Sequence, residues 1–377
     1  MNIFEQIKMF TDHKKLEEKI VFDNMKFELK SVYIFGAKLL GIQTYQACQK
    51  CRIDVKGFID NDKNIINSKI DGVTVYSLKE VIKFYKPDDV IIISSLNYCT
   101  EIKNQLIEAG IKRYITYPIL SLYNYQFPIA NMCFENLTVD LLMNIDKYEW
   151  LYERLADYKS KSILIDILKF RTTFDVSNLE NAYQKSIKDG SEYFDPNIVK
   201  LSSSEVFIDG GAYKGETSLE FINQVKGEYK HIYLFEPDLA LMQECKNTLK
   251  GYHNITFFNS ATGSKKDRKK FDLTGGTGGK VSEIGNTLVD IDCIDECISQ
   301  RTSFIKLDVE GSEIETILGA KNHIKRYQPT MAISAYHHPA DLWKIAETIH
   351  HIDSEYKMYL RHYSMSYFET DLYFVKE

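Results

Sequence analysis

Apolar and polar positions in the first third of the chain alternate between two patterns. Short apolar runs recur there, and the segments between them carry apolar residues at helical spacing. The runs cover residues 31–36, 55–60, 73–76 and 89–94. Apolar strands that alternate with helices are typical of a parallel sheet covered on both faces. The pattern therefore predicts a small doubly wound α/β domain.

The same alternation returns in the second half of the chain and ends differently. Predicted parallel strands there cover residues 205–209, 231–236, 255–258, 304–308 and 330–334. Two further apolar runs, 357–362 and 371–375, follow with no helix between them. A short connection forces antiparallel pairing. Parallel strands that finish in an antiparallel hairpin resemble the class I methyltransferase fold, so the predicted fold class is α/β with two doubly wound domains.

The pattern divides the chain into four predicted segments. Strand signals vanish between the two α/β stretches, where apolar residues keep helical spacing. The segments are a helical lead-in (1–30), a Rossmann-like domain of the nucleotide-binding type (31–122), a helical connector (123–200) and a domain of the class I methyltransferase type (201–377).

The charge and the apolar content of the chain limit the classes of partner that we expect. Among 377 residues, 47 Lys and Arg face 53 Asp and Glu, a formal charge of −6. A dominant phosphate-binding surface requires a basic excess, so nucleic acid is not expected as the main partner. No run approaches the roughly 20 apolar residues of a membrane helix, so membrane insertion is not expected. The mixed charges of the first residues do not resemble a signal peptide, and we expect a cytoplasmic protein. A homo-oligomer remains open.

The strongest chemical signal is a glycine-rich turn after the predicted strand 205–209. It reads DGGAYKGET and contains Asp209, Gly210, Gly211, Gly215 and Thr217. Glycines permit a tight turn and a close approach of the backbone to a ligand. An acid before the turn disfavours a phosphate at the following helix N-terminus. It suits a positively charged ligand such as S-adenosylmethionine, whose charge Asp209 is predicted to stabilise.

A second signal is Glu236, at the end of the next predicted strand. An acid at that position accepts hydrogen bonds from both ribose hydroxyls in nucleotide-binding folds. Ser260 and Ala261 follow the third strand and are predicted, from position alone, to lie by the adenine.

A third signal lies where the fourth strand ends, in the sequence IKLDVEGSE at 305–313. It places Asp308 and Glu310 at the carboxyl edge of the sheet, where ligands bind in open α/β folds. Together with DGG at 209–211 and FEP at 235–237, this sequence resembles the FkbM-type methyltransferases over about half the chain. The resemblance implies S-adenosylmethionine as cofactor. It also implies methylation, commonly of a hydroxyl on a sugar or natural product. Our leading hypothesis is methylation of a hydroxyl, or an amino group, on a glycan or glycan precursor such as a surface or flagellar glycan.

The resemblance also assigns roles to residues. It makes Asp209, Gly211, Gly215, Thr217 and Glu236 cofactor contacts and turns Asp308 and Glu310 toward the substrate. Family members often keep a Glu after the fifth strand, whereas this chain has Ser334-Ala-Tyr336-His-His338. Tyr336 is predicted to face the substrate.

Methyl transfer to a hydroxyl requires a base, and histidine has the suitable near-neutral pKa. His337 and His338 are candidates, with a surface or helix-capping role as the alternative, and Asp308 is the other candidate base. No metal is expected, although His337, His338 and Asp308 leave that alternative open. The glycine run 275–279 fits either a substrate lid or a plain turn.

In the N-terminal stretch, Gly36, Lys38 and Gly41 occupy the places of a G-x-G-x-x-G motif whose second glycine is replaced. Asp60 stands where a ribose-binding acid would. This stretch resembles Rossmann-like domains of sugar-modifying enzymes, and a degenerate, non-catalytic site is favoured. The alternative functions are an NAD(P)-dependent oxidoreductase acting through this domain and a non-catalytic nucleotide-binding or docking protein.

Overall fold

The computed structural model describes residues 2–10, 12–123, 127, 136–187, 190–272, 280–281, 285 and 287–376. Its first stretch contains six strands and six helices. The strands are β1 (Ser31–Phe35), β2 (Asp54–Ile59), β3 (Lys69–Ile70), β4 (Val73–Tyr76), β5 (Val90–Ile93) and β6 (Tyr114–Thr116). The helices are α1 (Ile3–Lys8), α2 (His13–Asn24), α3 (Leu39–Lys50), α4 (Leu78–Val81), α5 (Cys99–Glu108) and α6 (Tyr117–Tyr123).

These strands form one sheet in the order β3-β4-β2-β1-β5-β6. All neighbours are parallel except β3 and β4. Strands β2, β3 and β4 lie on one side of β1 in this sheet, and β5 and β6 lie on the other side. The carboxyl ends of β1 and β5 therefore border the crevice at which doubly wound folds bind ligands.

In the described residues between the two α/β stretches there are four helices: α7 (Leu137–Met143), α8 (Ile145–Arg154), α9 (Tyr158–Thr173) and α10 (Ser177–Ser186). Contacts divide the chain into two units. Unit 1 comprises residues 1–146, 162–185 and 364–368, and unit 2 comprises residues 147–161, 186–363 and 369–377.

Unit 2 contains the second α/β stretch. Its strands are β7 (Val206–Gly210), β8 (His231–Phe235), β9 (Ile255–Phe258), β10 (Ala261–Thr262), β11 (Asp267–Asp272), β12 (Lys280–Val281), β13 (Thr287–Asp292), β14 (Phe304–Leu307), β15 (Thr330–Ser334), β16 (Lys357–His362) and β17 (Thr370–Val375). Its further helices are α11 (Glu216–Gln224), α12 (Leu239–Thr248), α13 (Ile294–Cys297), α14 (Glu313–Gly319), α15 (Lys321–Tyr327) and α16 (Asp341–Ile352).

The main sheet of unit 2 has the order β16-β17-β15-β14-β7-β8-β9. The predicted fold class is confirmed, including the terminal hairpin, because β17 runs antiparallel to both β15 and β16. Central strands β7 and β14 are buried along their length. Aromatic rings hold this centre together: Phe207 lies 4.6 Å from Phe221 and 5.2 Å from Phe304 between ring centroids.

A second, four-stranded sheet of order β10-β13-β11-β12 was not predicted. Strand β11 reads DRKKFD, and its first four residues are exposed. A strand without an alternating apolar face gives no sequence signal. The glycine run 275–279, predicted as a lid or a turn, lies outside the described residues. Among the described residues, no helix has both the length and the apolar character needed to cross a membrane.

Candidate active site

The glycine turn after β7 depends on the missing side chain of Gly211. Its φ is +77°, and a Cβ there would lie 1.7 Å from the backbone oxygen of Asp308. Because no side chain fits, the ends of β7 and β14 come into close contact. The backbone N–H groups of Gly211 and Ala212 both donate to the Phe235 carbonyl, which joins the turn to the end of β8.

Beneath this turn lies a buried ion pair. Asp209 and Lys306 face each other across β7 and β14 and are 0% and 2% exposed, with Oδ1 and Nζ 3.2 Å apart. Lys306 also donates to the Gly211 carbonyl at 2.7 Å, and the Ser218 hydroxyl donates to Asp209. Burial lowers the pKa of Lys306, but Asp209 and Asp308 outweigh it and raise the value overall.

The structure places Asp209 away from the cavity wall. Its carboxylate is neutralised by Lys306 and lies below the turn, so it does not line the cavity described here. The stabilisation of a ligand's positive charge by Asp209 stays a prediction.

Glu236 occupies the end of β8, as predicted, and is held by the backbone. Its Oε2 accepts from Tyr213 N at 3.0 Å and its Oε1 from Asp238 N at 2.8 Å. Each oxygen keeps a second lone pair. Burial raises the pKa of Glu236 to about 7, against the opposing effect of these two hydrogen bonds. The carboxylate is thus oriented and desolvated, as a ligand for a pair of hydroxyls requires.

A cluster of acids surrounds His337 at the ends of β14 and β15. Its Nδ1 lies 3.1 Å from Glu313 Oε1, and its Nε2 lies 3.5 Å from Asp308 and 3.6 Å from Glu310. Burial alone would lower the pKa of His337, but the three carboxylates raise it to about 10. These carboxylates therefore favour the protonated form of His337, and its role as a base stays a prediction.

Asp308 links this cluster to the cavity. Its two oxygens accept from the hydroxyls of Tyr193 at 3.1 Å and Tyr336 at 3.3 Å. The next residues form a tight turn in which Glu310 adopts φ +53° and Gly311 φ +93°. Asp308, Glu313 and His337 bring one potential metal-ligand atom each within 4.8 Å of one another, and no other such group was found among the described residues.

A cavity of about 310 Å³ lies above these groups. Six predicted site residues line it: Gly211, Thr217, Glu236, Ala261, Asp308 and Glu310. The other predicted site residues do not line this cavity; they are Asp209, Gly210, Gly215, Ser260, Tyr336, His337 and His338.

Contacts with neighbouring residues explain why three of these residues do not line the cavity. Ser260 donates its hydroxyl to Asp292. A Cβ on Gly215 would lie 2.9 Å from Cys245 Sγ, so this glycine serves the packing of α12. His338 packs against the turn after β14, because a Cβ on Gly311 would lie 2.6 Å from its Nε2.

Sequence reasoning missed several residues of the cavity wall, including Lys306, Glu192 and Tyr193. The signal for Lys306 was a charge inside an otherwise apolar strand. Glu192 and Tyr193 precede the second α/β stretch in a segment read as connector, so nothing in their spacing pointed to the site. Burial, together with Asp371 and Glu369, raises the pKa of Glu192 to about 10, which keeps this carboxyl protonated at neutral pH.

Comparison with known families decides the class of this domain. Residues 209–364 match the model of the methyltransferase FkbM domain. We refer to residues 209–364 as the FkbM domain. The described cavity of this FkbM domain contains the ends of β7, β8 and β14, so the turn, Glu236 and Asp308 all fall within the matched range.

A solved structure shares the fold of the whole chain. The FkbM methyltransferase from Methylobacillus flagellatus KT aligns with a TM-score of 0.78 over 98% of each chain, at 22% sequence identity. That identity supports a common fold and nothing finer.

The N-terminal unit has its own relatives. Residues 28–116 match the C2185-like N-terminal family. A redox-sensing transcriptional repressor, Rex, from Treponema denticola is 31% identical over 88 residues, which is 22% of this chain. The chain spans 42% of the length of that curated relative.

Proposed function

We propose that the chain is an S-adenosylmethionine-dependent methyltransferase that acts on a hydroxyl, or an amino group, of a glycan or glycan precursor. Glu236 carries the cofactor part of this proposal. Its carboxylate is fixed by two backbone N–H groups, lines the cavity, and has lone pairs left for the two ribose hydroxyls of the cofactor. The FkbM match of residues 209–364 supports the reaction class.

The turn at Gly211 fits the cofactor for a steric reason. Because position 211 has no Cβ, the backbone of the turn forms the cavity floor beside Glu236 and Asp308. When bound, the cofactor would supply a methyl group made electrophilic by its sulfonium. Lys306 lines this cavity, and its pairing with Asp209 compensates the positive charge that it would otherwise present to that sulfonium.

Asp308 is the proposed proton acceptor. It lines the cavity and is 27% exposed, whereas His337 is buried behind it and carries its proton. An in-line transfer needs the acceptor hydroxyl beside a base, and a carboxylate at the cavity edge meets that geometry. Protonated His337 lies between Asp308, Glu310 and Glu313. Its positive charge would hold these three carboxylates in position. The tyrosine hydroxyls of Tyr193 and Tyr336 orient the Asp308 carboxylate.

The acceptor class rests on the family resemblance and is tested in cells. Mass spectra of glycans and glycan precursors would be compared between cells with the intact gene, a deletion, and the deletion complemented by Asp308→Asn. We expect one species to lose a methyl group in the deletion and to stay unmethylated with the variant. Identical glycan spectra in all three strains would contradict the glycan assignment. Purified protein that transfers a labelled methyl group to another class of molecule would redirect it.

A further inference from the structure

Unit 1 contains a second cavity at the edge of its own sheet. It measures about 770 Å³ and is lined by residues that follow β1, β2 and β5. This is the crevice where the strand order reverses, the position at which doubly wound sheets bind ligands. The size falls within the range of small-molecule sites. No activity proposed above uses this cavity.

The turn between β1 and α3 borders this cavity and has two of the three glycines of a nucleotide-binding turn. At both positions a side chain would clash with the backbone. Gly36 has φ +111°, and a Cβ there would lie 2.5 Å from the Ser94 carbonyl oxygen. A Cβ on Gly41 would lie 1.8 Å from the Gly36 carbonyl oxygen. The first glycine makes the turn and the last lets α3 pack against β1. The turn therefore keeps its first and last glycines for steric reasons, although lysine replaces the middle one.

Asp60 repeats the arrangement of Glu236. It follows β2, its Oδ2 accepts from Ala37 N at 2.8 Å, and its Oδ1 accepts from Asp62 N at 2.9 Å. Glu236 likewise accepts one N–H from the glycine turn and one from the residue two positions later. Asp60 lines the cavity with its carboxylate fixed in the orientation that accepts ribose hydroxyls.

Lys38 replaces the remaining glycine and adds a positive charge to the turn. It precedes α3 in an extended conformation, and its side chain gives no capping hydrogen bond to the helix. The 12-residue helix therefore begins beside the cavity with a partial positive charge, next to an exposed ammonium group. Both features attract phosphate. Glu101 also lines the cavity, and its Oε2 is buried without a hydrogen-bond partner among the described residues, so a ligand hydroxyl could donate to it.

We infer that the unit 1 cavity binds a ligand containing a nucleoside diphosphate. The ribose hydroxyls bind Asp60, and the phosphates bind the N-terminus of α3 and Lys38. A site for an uncharged nucleoside would not need the N-terminus of α3 or the positive charge of Lys38.

The test uses the full-length protein and isothermal titration with ADP, GDP, UDP and CDP at millimolar concentration. We expect at least one to bind. For the tightest binder, Asp60→Asn and Lys38→Glu should each weaken binding about 10-fold or more, the scale of a lost hydrogen bond or contact to a charged group. Lys38 is exposed, so Lys38→Glu keeps the fold. Glu236→Gln is the matched control from unit 2 and should leave this binding unchanged.

The 2′-deoxy form of the tightest binder separates ribose recognition from a general loss of structure. It should bind more weakly than the ribose form to the unaltered protein, and this difference should disappear in Asp60→Asn. Failure of all four nucleotides to bind would overturn the inference. So would binding that is lost in Glu236→Gln but kept in Asp60→Asn, since the nucleotide would then occupy the FkbM cavity.

Discussion

The two units place different side chains at the same position of similar sheets. In unit 2, Asp209 on β7 faces Lys306 on β14, and in unit 1 the corresponding pair on β1 and β5 is Ile34 and Ile92. In each unit the turn glycine that follows packs against the backbone two residues beyond the second member of the pair, Asp308 or Ser94. The fold therefore does not require an ion pair at this position.

A buried ion pair brings little net stability, because the loss of hydration offsets its attraction. Because only unit 2 has it at this position, we expect it to serve the chemistry proposed for that unit. Lys306 binds the Gly211 carbonyl and lies next to Asp308, at the centre of the acidic side of the cavity. Unit 1 keeps the turn and the acid after its second strand but has Ser94 where unit 2 has Asp308. The comparison therefore separates the features that the two units share, the glycine turn and the acid, from those present in unit 2 alone, the ion pair and Asp308.

The largest expected effect is the loss of methyl transfer in Asp308→Asn. Without a carboxylate to accept the proton, turnover should fall about 10²–10⁴-fold, the usual scale for a general base. Transfer of labelled methyl groups into extracts of a deletion strain would measure it. Asp290→Asn, which alters an exposed pair with Arg268, is the control and should retain turnover. Near-normal turnover in Asp308→Asn would move the base to another residue.

The ion pair itself gives the next largest effect. Lys306→Met leaves Asp209 buried and unpaired and should lower the free energy of unfolding by about 3–5 kcal/mol. The double variant Asp209→Leu/Lys306→Met makes unit 2 resemble unit 1 and should recover most of that loss. Ile92→Met, at the matching position of unit 1, should cost less than about 1.5 kcal/mol. Chemical denaturation measures all three, and a double variant no more stable than the single one would contradict the comparison.

A smaller effect is expected in the pH dependence of cofactor binding. The pKa of Glu236 is raised to about 7 by burial, so below that pH the carboxyl is protonated and must lose its proton to accept both hydroxyls. Affinity for S-adenosylhomocysteine should therefore fall as pH falls below 7, approaching about 10-fold per pH unit. In Glu236→Gln the profile should be flat between pH 5.5 and 7.5 (about the window of this titration). A wild-type profile equally flat would show that Glu236 does not ionise on binding.

The smallest expected effect is that of a chelator. His337 already supplies a positive charge to Asp308, Glu310 and Glu313, and a metal ion would have to displace its proton. Methyl transfer should therefore be unchanged in EDTA. Loss of activity that Mg²⁺ or Mn²⁺ restores would assign Asp308, Glu313 and His337 as metal ligands instead.

The sequence was informative where local chemistry decides structure. Strand-ending acids and turn glycines are read from neighbouring residues, which is why Gly211 and Glu236 were placed correctly relative to their strands. The roles of Asp209 and His337 depend on partners far along the chain. Asp209 meets Lys306 only through the register of β7 and β14, and His337 meets Glu313 through the packing of the turn after β15. Sequence spacing does not contain that information, so the neutralised aspartate and the protonated histidine could not be foreseen.

The central claim is that the cavity of the FkbM domain holds the cofactor through Glu236. Isothermal titration of S-adenosylhomocysteine into the full-length protein tests it most directly, with Glu236→Gln and Asp60→Asn as a matched pair. We predict binding to the unaltered protein and to Asp60→Asn, and a loss of about 1–3 kcal/mol of binding free energy in Glu236→Gln. No binding to the unaltered protein, or equal affinity in Glu236→Gln, would contradict the claim.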